Sequence, residues 1–382
     1  MRIGITCYPT YGGSGVVATE LGIELANRGH DIHFISYSQP IRLTEPHPHI
    51  HFHEVEVSQY PLFEYPPYDL ALATRMAEVA ELYDLDLLHV HYAIPHSVSA
   101  LLARQMLKED HVRRPRRLPY VTTLHGTDIT LVGLDPSYLP ITRFSIEQSD
   151  AVTAISNDLK KSTIESFSIS KPIHVIHNFV NCDLYRRNEQ AAEQRLVFAE
   201  PNERLLVHLS NFRPVKRVTD VIEIFDRVQK KIPARLMMMG DGPDRRAAER
   251  LACEKGIHKR IHFLGKQDMI HEKLGIADVM LLPSEMESFG LAALEAMACE
   301  VVPVASRVGG LPEVITHDED GFLAAAGDVD AMAGYALEVL TDDSLLQTMR
   351  KAARAKAQSK FCTTKIIPQY EALYGELLER KI

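Results

Sequence analysis

Short apolar runs alternate with longer amphipathic stretches along almost the whole chain. In the first half the runs are Arg2–Cys7, Asp31–Ser36, Ile50–Val55, Leu85–His91, Leu118–Leu124, Ala151–Ile155 and Pro172–Ile176. Between them, Val16–Arg28, Tyr68–Tyr83, Ser97–Lys108 and Pro136–Gln148 carry apolar residues at helical spacing. Short strands alternating with longer helices predict βαβ units, a mainly parallel sheet and right-handed crossovers. The pattern lapses at Asn178–Glu203, where the polar stretch Asp183–Gln194 reads as a domain boundary.

A second series then begins. Its predicted strands are Arg204–Ser210, Ala234–Met239, Arg260–Leu264, Asp278–Leu282, Val301–Ala305 and Gly321–Ala324. Helical stretches Val218–Lys231, Asp244–Lys255, Met269–Leu274 and Leu291–Ala298 separate them. The rest reads as helix: Asp328–Leu340, Ser344–Ser359 and Thr364–Lys381. The expectation is two successive doubly wound α/β domains, 1–177 and 178–363, each large enough for its own core.

Composition narrows the class. The chain has 382 residues, 46% hydrophobic and 24% charged, as soluble globular proteins do. No uncharged apolar run is long enough to span a bilayer, so no membrane role is expected. Met1–Ile5 enters a strand pattern directly, without the charged start and apolar core of a signal peptide. Five scattered cysteines without C-x-x-C spacing argue against zinc and a disulfide framework. Both features predict the cytoplasm. A net charge of −9 disfavours general nucleic-acid binding.

Four strand-end segments could carry chemistry. Gly12-Gly13-Ser14-Gly15 follows the first strand and opens a helix, where glycines admit a ligand and free N–H groups favour anions. It mimics the dinucleotide fingerprint, but the second strand ends Ile35-Ser36-Tyr37-Ser38, without the acid that would hold a ribose. An anionic ligand without that clamp is the favoured reading; a tight turn with no ligand stays open. Glu287-Ser288-Phe289-Gly290-Leu291 continues to Glu295 at a second strand–helix junction. There the amides of Phe289, Gly290 and Leu291 can face a phosphate, and the carboxylates of Glu287 and Glu295 can hold hydroxyls. Asn211, Arg213, Lys216 and Arg217 follow the first strand of the second series; the three cations can neutralise a diphosphate or form a solvated basic turn. Gly240-Asp241-Gly242-Pro243 is a further strand-end loop that can equally be a plain turn. Finally, His125-Gly126-Thr127-Asp128 ends a strand, where His125 can donate to a sugar hydroxyl or be structural.

Two other patterns read as bland. His47, His49, His51 and His53 alternate as on a half-exposed strand face, not as converging zinc ligands. Arg113–Arg117 reads as a solvated basic loop.

Together these segments resemble the retaining glycosyltransferases of family 4, with the GT-B fold. The resemblance runs from Met1 to near the C-terminus. Gly12-Gly13-Ser14-Gly15, His51-Phe52-His53-Glu54-Val55, Tyr65-Pro66-Pro67-Tyr68, His125-Gly126-Thr127-Asp128 and Ser210-Asn211-Phe212 are similar to the bacillithiol-pathway branch. That branch implies UDP-N-acetylglucosamine as donor and L-malate as acceptor. The GT-B fold implies a cleft between the domains and a last helix, 364–382, crossing back to the first.

The resemblance also implies roles. Glu295 would hold the uridine ribose, Glu287 the sugar hydroxyls, and Lys216 the diphosphate. Gly13, Ser14 and the amides of Phe289–Leu291 would cradle phosphate, and His125 would approach the sugar. His125, Lys216 and Glu287 are the catalytic candidates. Relatives often carry arginine where this chain has Asn211, so Arg213 is the candidate substitute. Tyr92, Thr127 and Arg143 would grip the acceptor, although Tyr92 can also be a core aromatic and Arg143 a helix-surface charge. No metal or other cofactor is implied. A homodimer or larger homo-oligomer stays open, as do a different small acceptor and a UDP-N-acetylglucosamine epimerase.

Overall fold

A computed structural model describes residues 1–10, 12–58, 61–108, 117–187 and 191–379. The chain forms two compact units, one of residues 1–177 and 366–382, the other of 178–365.

The first unit contains β1 (Arg2–Thr6), β2 (Asp31–Ser36), β3 (Ile50–Glu54), β4 (Leu87–His91), β5 (Tyr120–Leu124), β6 (Ala151–Ala154) and β7 (Ile173–Val175). They form one sheet in the order β3-β2-β1-β4-β5-β6-β7, with every pairing parallel. Central strands β4 and β5 are buried at every position, as expected of strands covered by helices on both faces. Edge strand β3 is largely exposed. Its histidines divide: His53 is buried and bonds His33 at 2.9 Å, His51 is exposed, and His49 pairs with Asp31 at 2.7 Å. His47 and His49 precede the strand, so the four do not share one strand face.

The second unit contains β8 (Arg204–Leu209), β9 (Ala234–Met239), β10 (Ile261–Gly265), β11 (Val279–Leu282), β12 (Val302–Ser306) and β13 (Phe322–Ala324). Their order is β10-β9-β8-β11-β12-β13, again all parallel. Helix Val218–Gln229 buries Val221, Ile222, Ile224, Phe225 and Val228 against this sheet, the apolar stripe that its spacing predicts. Most predicted elements fall within a few residues of those observed.

Helix Asn157–Phe167 is an addition that the sequence reading left out. Its sequence is mostly polar, and only Leu159, Thr163 and Phe167 are buried, at a spacing of one helical turn. Ser156 caps it by accepting from the Leu159 amide at 3.1 Å. The stretch read as one helix, Pro136–Gln148, is helical only over Leu139–Gln148. Helix Thr363–Glu379 closes the chain. There Tyr374 hydrogen-bonds His89 of β4 at 2.7 Å, and Glu371 pairs with Arg28 and His30.

Both sheets reverse direction of growth at one place: between β1 and β4, and between β8 and β11. Loops leaving the C-terminal ends of strands at such a switch point diverge and leave a crevice, where open α/β sheets bind ligands. Most of the candidate residues lie on those loops.

Candidate active site

In the second unit the loops after β8 and β11 are stitched together. The Glu285 amide donates to the Val215 carbonyl at 2.8 Å. That contact brings Lys216, on the turn Pro214–Lys216, to Glu287: Nζ lies 2.6 Å from Oε1, both side chains mostly buried. Ser284, fully buried, donates its hydroxyl to the same oxygen at 2.9 Å. The Glu287 carbonyl accepts from the Gly310 amide at 3.0 Å. Gly309, at φ +51°, lies so close that a Cβ would sit 1.8 Å from that carbonyl. Only glycine fits there, and the Glu287 backbone is thereby fixed.

The next residues start helix Leu291–Ala298. Gly290 precedes it at φ +96°, a left-handed conformation that a side chain would strain. The first intrahelical bond runs from Leu294 to Gly290, so the amides of Leu291–Ala293 have no helical carbonyl to bond. They make an anion-favouring terminus. The side chain of Phe289 is core, packed edge-on against Phe361; only its backbone is available to a ligand. Glu295 is buried and accepts from Tyr185 Oη at 3.0 Å.

The loop after β8 rests on His208. This buried imidazole donates from Nδ1 to the Leu281 carbonyl at 2.8 Å. Its Nε2 therefore accepts, from Ser210 Oγ at 2.8 Å, and Ser210 Oγ in turn accepts the Phe212 amide at 3.2 Å. Burial holds His208 down at about 4, so the arrangement stays neutral. Asp244, after the Gly240–Pro243 loop, donates its amide to the Phe212 carbonyl at 3.0 Å. That loop thus also braces the Ser210–Phe212 segment. Asn211 is half-buried with Oδ1 unpartnered. Arg217 is committed to Asp220 at 2.7 Å, whereas Arg213 is exposed.

In the first unit, helix Gly13–Asn27 begins three residues before the predicted Val16, so Gly13 and Ser14 are its first turn rather than loop. The Gly12 amide is bonded to the Thr10 carbonyl at 2.7 Å, and Val16 makes the first intrahelical bond, to Gly12, so the amides of Gly13–Gly15 have no helical carbonyl to bond. Ser14 Oγ bonds Tyr92 Oη at 2.7 Å, and the Tyr92 ring lies 5.3 Å from that of His125. Tyr92, at φ +91°, follows β4 directly. Asp128 ties this end of the sheet together: it accepts from the amides of Ala93, His125 and Gly126 at 2.9–3.2 Å. Burial pushes the Asp128 carboxyl up despite these donors.

Ser14, Tyr92 and His125 are therefore brought together. Thr127 is exposed on the short turn Thr127–Thr130, and Arg143 is exposed on helix Leu139–Gln148. Among the described contacts, none joins Thr127 or Arg143 to that group. Arg113–Arg116 lie outside the described residues, while Arg117 pairs with Asp150 at 3.2 Å. Among the described residues no group of three or more His, Cys, Asp or Glu side chains is placed to hold a metal ion. No described helix is long and apolar enough to cross a membrane.

The sequence reading passed over Ser284, Tyr185, His208 and His91 as supporting residues. Tyr185 sits in the stretch read only as a polar boundary. His91 left a signal, because His89 and His91 alternate on one strand immediately before Tyr92.

The family profile "Glycosyl transferases group 1" matches residues 190–356, and "Glycosyltransferase Family 4" matches residues 11–184. N-acetyl-alpha-D-glucosaminyl L-malate synthase of Bacillus anthracis is 48% identical over 378 residues, covering 99% of this chain and 97% of the relative. The chain belongs to glycosyltransferase family 4. A D-inositol 3-phosphate glycosyltransferase of Mycobacterium sp. (strain JLS) is 31% identical over 54% of this chain and 48% of the relative. Among solved structures, sucrose-phosphate synthase of Thermosynechococcus elongatus superposes with a TM-score of 0.80 at 21% identity, covering 100% of both chains. Anabaena HepE in complex with UDP and glucose gives a TM-score of 0.80 at 19% identity, covering 98% of this chain and 99% of the neighbour. At these identities the neighbours establish the fold: the enzyme has the GT-B architecture, two Rossmann-like units each with its own parallel sheet.

Proposed function

We propose that the enzyme transfers N-acetylglucosamine from UDP-N-acetylglucosamine to the hydroxyl of L-malate with retention of configuration, the first step of bacillithiol biosynthesis, in the cytoplasm. The observation that carries this reading is the 48% identity to the malate synthase over 99% of the chain.

The residues supply the chemistry. The leaving group is a diphosphate whose negative charge grows as the C1–O bond breaks. Lys216 and Arg213 would take up that charge, with the amides of Phe289–Leu291, Gly13 and Ser14. Glu295, held by Tyr185, would bind the ribose hydroxyls, and Glu287, held by Ser284, the sugar hydroxyls. Lys216 Nζ lies 2.6 Å from Glu287 Oε1; a diphosphate would compete with Glu287 for the ammonium. Asn211 would line the donor beside Arg213. Tyr92, Thr127 and Arg143 would receive malate, whose two carboxylates suit an arginine fork and hydroxyl donors. The malate oxygen bonds C1 on the face that the phosphate leaves. The hydroxyl proton passes to a phosphate oxygen, and UDP departs.

The test is to incubate the enzyme with UDP-N-acetylglucosamine and a panel of hydroxy acids and inositol phosphates. A GlcNAc–malate conjugate detected by mass spectrometry, with an α-linkage by NMR, is expected. Conjugation of another acceptor in preference to malate would replace the acceptor assignment. Turnover of the donor with no acceptor would make the enzyme an epimerase.

A further inference from the structure

At the C-terminal ends of β4 and β5 the first unit buries a row of histidines. His89 stacks on His91 with centroids 4.6 Å apart, and the His125 ring lies edge to edge with that of His91, centroids 5.0 Å apart and planes within 25°. His89 is pinned at both nitrogens: Nδ1 to Tyr374 Oη and Nε2 to Thr123 Oγ1, each at 2.7 Å. The row ends at His125, whose Nε2 lies 2.8 Å from Nδ1 of His91. A neutral imidazole carries one N–H, so one of these two nitrogens donates and the other accepts.

The surroundings decide which. His91 Nε2 is buried and has no hydrogen-bond partner. With the proton there, His91 would bury an orphaned N–H, an arrangement that native interiors rarely tolerate. With the proton on Nδ1, it goes to His125. The adjacent His96 follows the same logic: its Nδ1 donates to the His91 carbonyl at 2.5 Å, which leaves its own buried Nε2 bare and unpartnered. Burial supports neutrality throughout, holding His125 down at about 3, His96 at about 4 and His91 well below its usual range.

We propose that His91 is a positioning residue that donates from Nδ1 to His125 Nε2, fixes His125 as the Nδ1–H tautomer, and so presents His125 to the ligand as a hydrogen-bond donor. No described protein group occupies the Nδ1 of His125, and the residue keeps 7% of its surface accessible. In this tautomer His125 cannot accept a proton from an attacking hydroxyl, because its only lone-pair nitrogen is occupied by His91. Its partner is an oxygen with a lone pair: a sugar hydroxyl, a carboxylate or a phosphate oxygen. The tautomer stands on geometry alone, whereas its use in transfer rests on the proposed function.

The full-length enzyme labelled with 15N-histidine tests this by long-range 1H–15N correlation at pH 7.5, with His125 assigned by comparison with His125→Asn. The expected His125 pattern is a pyrrole-type Nδ1 and a pyridine-type Nε2. A pyrrole-type Nε2 in the wild type overturns the proposal, whether or not a His91 variant folds. His91→Asn places an amide N–H near the original Nδ1 and should preserve both tautomer and turnover. His91→Leu should abolish the tautomer preference and lower kcat about 10- to 100-fold, with UDP affinity by calorimetry within about twofold of wild type. An altered tautomer with unchanged kcat would overturn the positioning role. Failure of the functional reading would show separately, as absence of GlcNAc transfer by the wild type.

Discussion

The two units solve one problem, filling the C-terminal edge of a parallel sheet with polar groups, in opposite ways. The first uses neutral imidazoles. His89, His91, His96 and His125 are all buried there, tied to each other, to hydroxyls or to backbone. The second uses charge. Lys216 meets Glu287 at its ligand edge, and at the opposite, N-terminal edge Asp278, just before β11, is clamped by Arg195 at 2.6 Å and Arg350 at 2.5 Å. A diphosphate leaving group needs a charged cradle, and a site that orients hydroxyl and carboxylate groups can work with neutral donors. The contrast thus matches the proposed division of labour, donor on the second unit and acceptor on the first.

The difference should appear most strongly in acid. Burial holds His89 and His125 at about 3 and His33, His53 and His96 at about 4, against about 6.5 unfolded. The unfolded chain binds protons that the native unit refuses. The first unit therefore keeps its full stability above about pH 6.5 and loses it as pH falls towards the folded values. The slope approaches about 1.4 kcal/mol per pH unit for each such histidine. In the second unit burial pushes Asp278 up, but Arg195 and Arg350 outweigh it and hold the carboxyl below its ordinary value. A bond from Lys255 holds Glu223 down likewise. Those contributions are lost only below about pH 4, and His208 is a single counterpart to the histidine row. Hydrogen exchange, corrected for intrinsic rates, should show the strands of 1–177 losing protection between pH 7 and 5 well before those of 178–365. Equal losses would break the comparison.

Removing the central charge comes next. Lys216→Ala should lower kcat by about 10²- to 10³-fold, the scale of a lost oxyanion or phosphate donor, with the unfolding midpoint little changed. Near-wild-type turnover would remove Lys216 from the charge cradle. On the neutral side, Arg143→Ala should raise the malate KM about 10- to 100-fold and leave UDP affinity unchanged. An unchanged malate KM would make Arg143 a surface charge and leave the acceptor side without its cation. The smallest effect is expected from Tyr185→Phe. Deleting its hydroxyl removes one donor from Glu295 and should raise the donor KM about 5- to 10-fold, with the malate KM unaffected.

Much of this was legible in the sequence. Apolar runs located strands such as Asp31–Ser36 and Ala234–Met239 to the residue, because central parallel strands are buried on both faces and allow few polar interruptions. Helix Asn157–Phe167 escaped because a helix that buries only three residues has almost no apolar stripe to detect. The start of the first helix was displaced because Gly13-Ser14-Gly15 has poor helix propensity, which tertiary context overrode. Lys216, Glu287, Glu295 and His125 stood out as charged or titratable groups at strand ends. Their supports Ser284 and Tyr185 did not, because nothing local distinguishes them from ordinary polar residues, and His91 left only its alternation with His89 before Tyr92.

The sequence alone therefore determined the order of strands and helices and the chemistry at each strand end, since periodicity and residue type are local properties. The tertiary structure decided which of those ends cooperate. Tyr185 reaches Glu295 across 110 positions, Lys216 reaches Glu287 across 71, and His91 reaches His125 across 34. The last two contacts exist because parallel strands distant in sequence end side by side, and sheet order is fixed by the packing of whole elements rather than by any local stretch.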